Sequence, residues 1–239
     1  MLLSSTGLLA RTVGADPLPT SGARGRHDAI IGAVRTTARG EFGIVTSHGR
    51  MLRLSALELP TLPPTADAPA LAGGAPLTAY LELERDETAL TVASLAPGAP
   101  PLALGTAAGV VKRVVPDSPA KASWELIALR DGDSVVGAAP TPREDLDLVF
   151  ITSDAQLLRF AAGQVRPQGR AAGGMAGIKL APGASVVSFG VVDPALDGVV
   201  VTASGTSDAL PGTQAGAIKV TPYAEYPAKG RGTGGVRCH

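Results

Sequence analysis

The sequence predicts an all-β, propeller-like fold of about five four-stranded blades. Three observations carry that reading. Thirty glycines and twenty prolines are scattered through 239 residues, which punctuates the chain into short strands and turns rather than long helices. Apolar residues make up 45% of the chain but aromatics only 3%, so a substantial core is built from Val, Leu, Ile and Ala. One short pattern also returns: an apolar run, Thr, two small or polar residues, usually Gly, and a second apolar run carrying Arg or Lys.

The copies are LLSSTGLLART (2–12), GIVTSHGRMLRL (43–54), LALGTAAGVVKRV (102–114), VFITSDAQLLRF (149–160) and an interrupted VVVTASGTSDALPGTQAGAIKV (199–220). Their threonines, Thr6, Thr46, Thr106, Thr152 and Thr202, lie 40, 60, 46 and 50 residues apart. Each copy reads as a β-hairpin around a tight turn. Gly49 and Gly109 occupy the turn position that needs a positive φ; the copy at Ala155 departs from it.

A second element, strand–turn–strand, precedes most hairpins: 77–95, 124–139, 177–192 and, in short form, 27–34. Four strands per unit of 40 to 60 residues is the signature of a propeller blade. Four units lie wholly inside the chain. The 2–12 hairpin and the closing GTGGVRCH are expected to supply parts of a fifth, closing the ring and protecting its edge strands. The Pro-rich run 59–76 reads as an inter-blade connector. All of 1–239 is one domain, and both ends look cut, as in a piece excised from a longer protein.

Formal charge is zero, 21 Lys+Arg against 21 Asp+Glu, which excludes a histone-like basic domain but not a local basic rim. Cys238 is the single cysteine, so an internal disulfide is excluded. Neither a signal peptide nor an unbroken apolar span is visible. The expectation is a soluble, cytoplasmic protein with no membrane partner.

Catalytic constellations are thin. His27, His48 and His239 have no partner at metal-ligand spacing, so no metal site and no catalytic residue is expected. GRGTGG (230–235) matches a dinucleotide fingerprint literally, but only VRCH follows and no helix can open there. The acidic clusters 130–133 and 143–148 read as solvated turns. Trp124 reads as core or rim packing.

What repeats with the blades is positive charge. Arg11, Arg53, Lys112 or Arg113, Arg159 and Lys219 sit on second hairpin strands, with Arg50 beside them. Arg24, Arg26, Arg166, Arg170, Lys229 and Arg231 follow turns between blades. Sixteen of the 21 cations are Arg, the side chain suited to bidentate phosphate contacts. Arranged around a ring, they would form a curved basic edge that contacts and bends a duplex without reading its sequence. The same pattern also suits cations that only keep strand edges soluble, or a propeller that binds protein alone.

The residues then resemble a known family. GIVTSHGRMLRLSALELP (43–60), GTAAGVVKRV (105–114) and the closing YPAKGRGTGGVR (226–237), in order behind the first hairpin, resemble the C-terminal β-pinwheel domains of bacterial type IIA topoisomerase A subunits. The resemblance covers nearly the whole chain. It implies a non-catalytic domain that binds double-stranded DNA on its outer rim and presents it to a cleavage core. The partners it implies are the ATPase B subunit, together with the rest of the A subunit, in a nucleoid-associated enzyme. ATP and Mg2+ serve that enzyme elsewhere, and no cofactor is expected in this domain. In the gyrase branch a Gln-Arg-Arg-Gly-Gly-Lys-Gly box wraps DNA. Its position here, Ser21 to His27, reads SGARGRH and lacks the glutamine, the double arginine and the lysine. The missing box, the zero charge and about five blades imply the topoisomerase IV type; a divergent gyrase is the alternative.

Overall fold

The computed structural model describes residues 1–14, 17–19, 21–22, 28–65, 67–205 and 216–239. Strands β1 (Leu2–Ser4) and β2 (Leu8–Ala10) form the first hairpin, and β3 (Ile30–Ala33) returns to pair with β1. The second hairpin is β4 (Glu41–Thr46) with β5 (Arg50–Ser55). The chain then departs from simple propeller logic. Strand β6 (Ala75–Pro76) crosses back to pair with β2, and only then does β7 (Ala89–Ser94) return to β4.

Each later unit repeats that exchange. After β8 (Leu102–Thr106) and β9 (Val110–Val114), strand β10 (Ser123–Glu125) crosses to β5 while β11 (Val135–Pro140) stays on β8. After β12 (Asp147–Thr152) and β13 (Gln156–Ala161), β14 (Pro167–Gln168) and β15 (Met175–Ala176) cross to β9 while β16 (Val186–Val192) stays on β12. The last hairpin is β17 (Val199–Ser204) with β18 (Ala217–Pro222), and β19 (Val236–Arg237) crosses to β13. Among the described residues these strands make four sheets of four or five strands and one of two, in line with the expected blades of about five.

Two expectations need correction. The strand–turn–strand elements do not each give two strands to one blade: in 124–139, β10 belongs to one blade and β11 to the next, while 77–95 and 177–192 each contain a single strand, β7 and β16. Local alternation marks strands but not their partners. The chain ends also do not share a sheet, since β1 and β2 lie in blade 1 while β19 lies in blade 4. Among the described residues, blade 5 is instead the β17–β18 hairpin alone.

The repeating turn has a shared physical cause. Gly7, Gly49, Gly109 and Ala155 all hold a positive φ, and each amide donates to the carbonyl three residues back, on Ser4, Thr46, Thr106 and Thr152, at 2.9–3.0 Å. The hydroxyls of Ser4, Thr106 and Thr152 also accept the amide four residues on, at 3.0–3.2 Å. Ser4, not Thr6, is therefore the first member of the series, because a serine hydroxyl serves as well as a threonine's.

Alternate residues on each strand face alternate blades. Phe42 and Ile44 pack with Leu3 and Leu9 of blade 1, whereas Val45 packs with Leu102 and Leu104 of blade 3. Leu148 and Phe150 pack with Ala103 and Val111 of blade 3, and Val149 with Tyr223 and Val200 of blade 5. Residues 59–76 do serve as a connector, and also seal the far face of blade 1 with Leu62 and Leu71 against Leu2 and Ala10. No helix among the described residues is long and apolar enough to cross a membrane.

The four equivalent turns supply a direct test. Ala155 holds φ 59° with a Cβ, which costs roughly 1–2 kcal/mol. Ala155→Gly is expected to raise the midpoint of urea unfolding. Gly109→Ala is expected to lower it, because the new Cβ would meet the Ile178 carbonyl oxygen at 2.7 Å.

Candidate nucleic-acid interface

The cations that recur with the blades divide into two groups. One stands at a fixed place, seven residues after Ser4, Thr46, Thr106 or Thr152: Arg11, Arg53, Arg113 and Arg159. Each reaches into the segment that follows the next hairpin. Arg11 donates to Thr61 Oγ1 at 2.7 Å and to the Ala56 carbonyl at 3.4 Å. Arg53 donates to the carbonyls of Pro119 (2.6 Å) and Lys121 (3.1 Å) and to Ser118 Oγ (2.9 Å), pairs with Glu41, and lies over the Trp124 ring. Arg113 binds the carbonyls of Ala162 and Val165, Thr141 Oγ1, and both oxygens of Glu144. Arg159 binds the Tyr226 carbonyl and Asp147, and sits 4.8 Å from the centre of the Tyr223 ring.

These guanidiniums clamp the exchanged strand to its host blade. Planar donors satisfy several carbonyls that the crossing chain would otherwise bury unpaired. The expected rim position therefore fails for Arg113, 1% exposed, and for Lys112, fully buried. Lys112 Nζ donates to the carbonyls of Leu126, Arg170 and Ala172 at 2.7–2.8 Å. Burial pushes its ammonium down to about 8. Arg53 and Arg159 are turned to the same clamping task, with side chains 19% and 15% exposed. Glu144 and Asp147, read from the sequence as solvated turn residues, are the clamps' acidic partners.

Arg50 is held differently. Its guanidinium bonds both oxygens of Glu87 at 2.9 and 2.5 Å and pairs with Glu84 at 3.0 Å. Burial alone would raise the Glu87 carboxyl, but hydrogen bonds from Arg50, Thr46 and the Glu84 amide outweigh it and hold the group at about 2. His48, Glu84 and Glu87 lie at metal-ligand spacing, and Arg50 already occupies that carboxylate pair.

The second group lies on the outer edge of blades 3 and 4. Two Gly-rich turns, 164–179 and 229–235, are tied together there. Arg231 N donates to Gln164 Oε1 at 3.0 Å, its guanidinium donates to the Ala176 carbonyl at 2.6 Å, and Lys179 N donates to the Thr233 carbonyl at 3.0 Å. Arg166 and Lys229 are exposed on these turns, while Arg170 and Arg231 are half-buried. Arg170 pairs with Asp117 at 2.8 Å, and Lys229 Nζ donates to the carbonyls of Gly234 and Gly235. Lys179, exposed beside them, was not singled out in the sequence because it falls outside the hairpin pattern. Lys219 is exposed on β18 of blade 5. Arg24 and Arg26 lie outside the described residues.

The family described as DNA gyrase C-terminal domain, beta-propeller, matches residues 125–142, 146–193 and 212–238. The DNA gyrase A protein of Escherichia coli (strain K12) is 33% identical over 196 residues, covering 80% of this chain and 20% of that protein. Its Mycolicibacterium smegmatis counterpart is also 33% identical, with 80% and 21% covered. The chain thus spans about a fifth of these relatives' length. The solved C-terminal domain of DNA topoisomerase IV superposes with TM-score 0.75 at 20% identity, over 99% of this chain and 71% of that one. The chain belongs to the C-terminal β-pinwheel domains of type IIA topoisomerase A subunits. The E. coli ParC C-terminal domain shares the pinwheel fold at TM-score 0.64 and 17% identity, over 99% of this chain and 92% of that one.

Two results are expected from the pinwheel's buried charges. Arg113→Met should cost about 2–4 kcal/mol in urea unfolding, and Arg113→Lys should not restore it, since one ammonium cannot span the same acceptors. Glu87 has a folded pKa below its unfolded value, so its contribution is complete above about pH 4.5 and is lost as pH falls toward 2. Glu87→Gln should therefore destabilise the pinwheel at pH 7 and flatten the acid side of its stability profile.

Proposed function

We propose that the pinwheel binds duplex DNA without sequence preference, along the joined outer turns of blades 3 and 4, and bends it toward the enzyme's cleavage core. The observation that carries this is the separation of the two groups of cations. The clamp arginines are consumed by the fold, while Arg166, Lys179, Lys229 and Arg231 gather on two linked Gly-rich turns whose backbone can approach a phosphate closely. Arg24 and Arg26 of SGARGRH are further candidate phosphate contacts by sequence. In the intact enzyme, which works at the nucleoid with an ATPase B subunit, this supports relaxation and decatenation.

The incomplete box at Ser21–His27 favours the non-wrapping, topoisomerase IV-like reading. The 33% identity to gyrase A proteins favours the second reading, a gyrase domain that wraps DNA. Ligation of nicked circles separates them. The proposed type leaves little constrained positive writhe, and strong writhe would transfer the chain to the gyrase type.

Binding itself is tested by charge removal. A triple Arg166→Ala, Lys229→Ala, Arg231→Ala variant is expected to lose at least tenfold affinity for a linear duplex. Its slope of log K against log salt should fall by about 3. Unchanged affinity would rule out the outer turns and return the fold to the protein-binding reading.

A further inference from the structure

Lys112 is fully buried, and its ammonium donates to three backbone carbonyls, those of Leu126, Arg170 and Ala172, at 2.7–2.8 Å. The hairpin itself does not need a charge there. The residue six places after the turn's Ser or Thr is Ala10 in blade 1, Leu52 in blade 2 and Leu158 in blade 4, each buried and apolar. Burying an ammonium carries a desolvation cost that a leucine avoids.

What sets Lys112 apart is its place beneath a loop. Segment 167–176 meets β9 at two separate stations. Pro167 and Gln168 pair with Arg113 and Val114, and Met175 and Ala176 pair with Val111 and Val110. Between these ladders the chain loops out over 169–174, and Lys112 is the β9 residue left between the paired ones. Its ammonium holds the loop through Arg170 and Ala172, and its third bond ties it to Leu126, beside β10 of blade 2. Gly169, Ala171 and Gly173 are exposed, so without the ammonium the loop's carbonyls can turn to water. Blade 4 holds its matching turn from the outside: Leu158 lies beneath it, and Lys229, exposed on the turn, donates to the carbonyls of Gly234 and Gly235.

Arg166 stands just before the 169–174 loop and Lys179 just after it, both exposed. The Gly177 carbonyl accepts the Gly232 amide at 2.6 Å, so the loop's shape also governs where turn 229–235 lies. We propose that Lys112 is a positioning residue for duplex binding: from inside blade 3 it fixes the 169–174 loop and, through it, the spacing of Arg166, Lys179 and the linked turn. It touches no phosphate itself. The inference rests on the duplex binding proposed above.

The cradle makes the loop answer to one buried proton. Burial brings the Lys112 ammonium down to about 8, and the neutral amine has two N–H groups for three carbonyls. The charged groups around it are Asp117, Glu125, Arg50, Lys121 and Arg170 in the cleft beside the loop, with Arg113 on the other face of β9. Stability runs the opposite way to binding. With about 8 in the folded chain against an ordinary 10.5, the unfolded chain binds more protons between the two, so stability rises with pH across that interval. Titration of Lys112 therefore weakens binding where it does not weaken the fold.

Anisotropy of a labelled linear duplex at fixed ionic strength tests this. The unaltered chain, which needs no substitution, is expected to lose about fivefold in affinity between about pH 7 and about pH 9. Lys112→Leu carries the side chain that blades 2 and 4 have at this place, and Trp124 emission checks that it is folded. It is expected to bind about fivefold more weakly at about pH 7 and to fall no further by about pH 9. Without DNA, hydrogen exchange of the variant should speed up at 169–174 and stay unchanged in β12. An affinity of the unaltered chain that is flat across about pH 8 would overturn the proposal. So would a Lys112→Leu variant that binds as tightly as the unaltered chain or keeps its loop amides slow. Full affinity in the triple Arg166, Lys229 and Arg231 variant would instead remove the duplex track, and the exchange measurement still decides whether Lys112 holds the loop.

Discussion

The arginine clamp on the exchanged strand is the interaction on which the rest of the pinwheel depends. Strands β6, β10, β14 and β19 each leave the hairpin they follow and complete the blade before it. No complete blade is therefore finished until the next hairpin has been made. The crossing segments are two or three residues of ladder, too short to hold by backbone pairing alone. Arg11, Arg53, Arg113 and Arg159 supply the missing hold by donating across the joint to carbonyls and hydroxyls of the arriving chain. The Thr-x-x-Gly turn sets the register that aims them, since each stands at the same distance from its turn.

That arrangement explains how a domain of zero net charge can be rich in arginine without being a strongly basic particle. Much of its arginine is structural and is matched by Glu41, Glu144 and Asp147. Among the exposed cations outside the clamps, Arg166, Lys179 and Lys229 lie on turns that are fixed to each other by backbone bonds. Under the proposed function, a small set of phosphate contacts there would hold a duplex loosely, and salt would weaken such a hold steeply.

The hairpins were legible in the sequence because their causes are local: a hydroxyl, a glycine and two apolar runs within a dozen residues. Strand exchange was not, because β10 alternates in the same way whichever blade it joins. The arginines were legible as a series but not as a function. A guanidinium on a second hairpin strand looks the same in sequence whether the next chain segment covers it, as at Arg113, or leaves it open. Lys112 and Arg113 are adjacent and both are buried, on opposite faces of one strand and against different carbonyls, a distinction that only the stacked blades create. Arg166, Lys229 and Arg231, by contrast, were read correctly as turn residues, and the fold adds what the sequence could not, that their turns are neighbours.

The division between clamping and contacting cations is tested most directly by hydrogen exchange on the pinwheel with and without saturating linear duplex. The account predicts that bound DNA slows exchange in the turns 164–179 and 229–235, while the already slow amides of β9 and β13 beside Arg113 and Arg159 do not change. A footprint over the stacked faces of the blades, with the two turns unprotected, would contradict it.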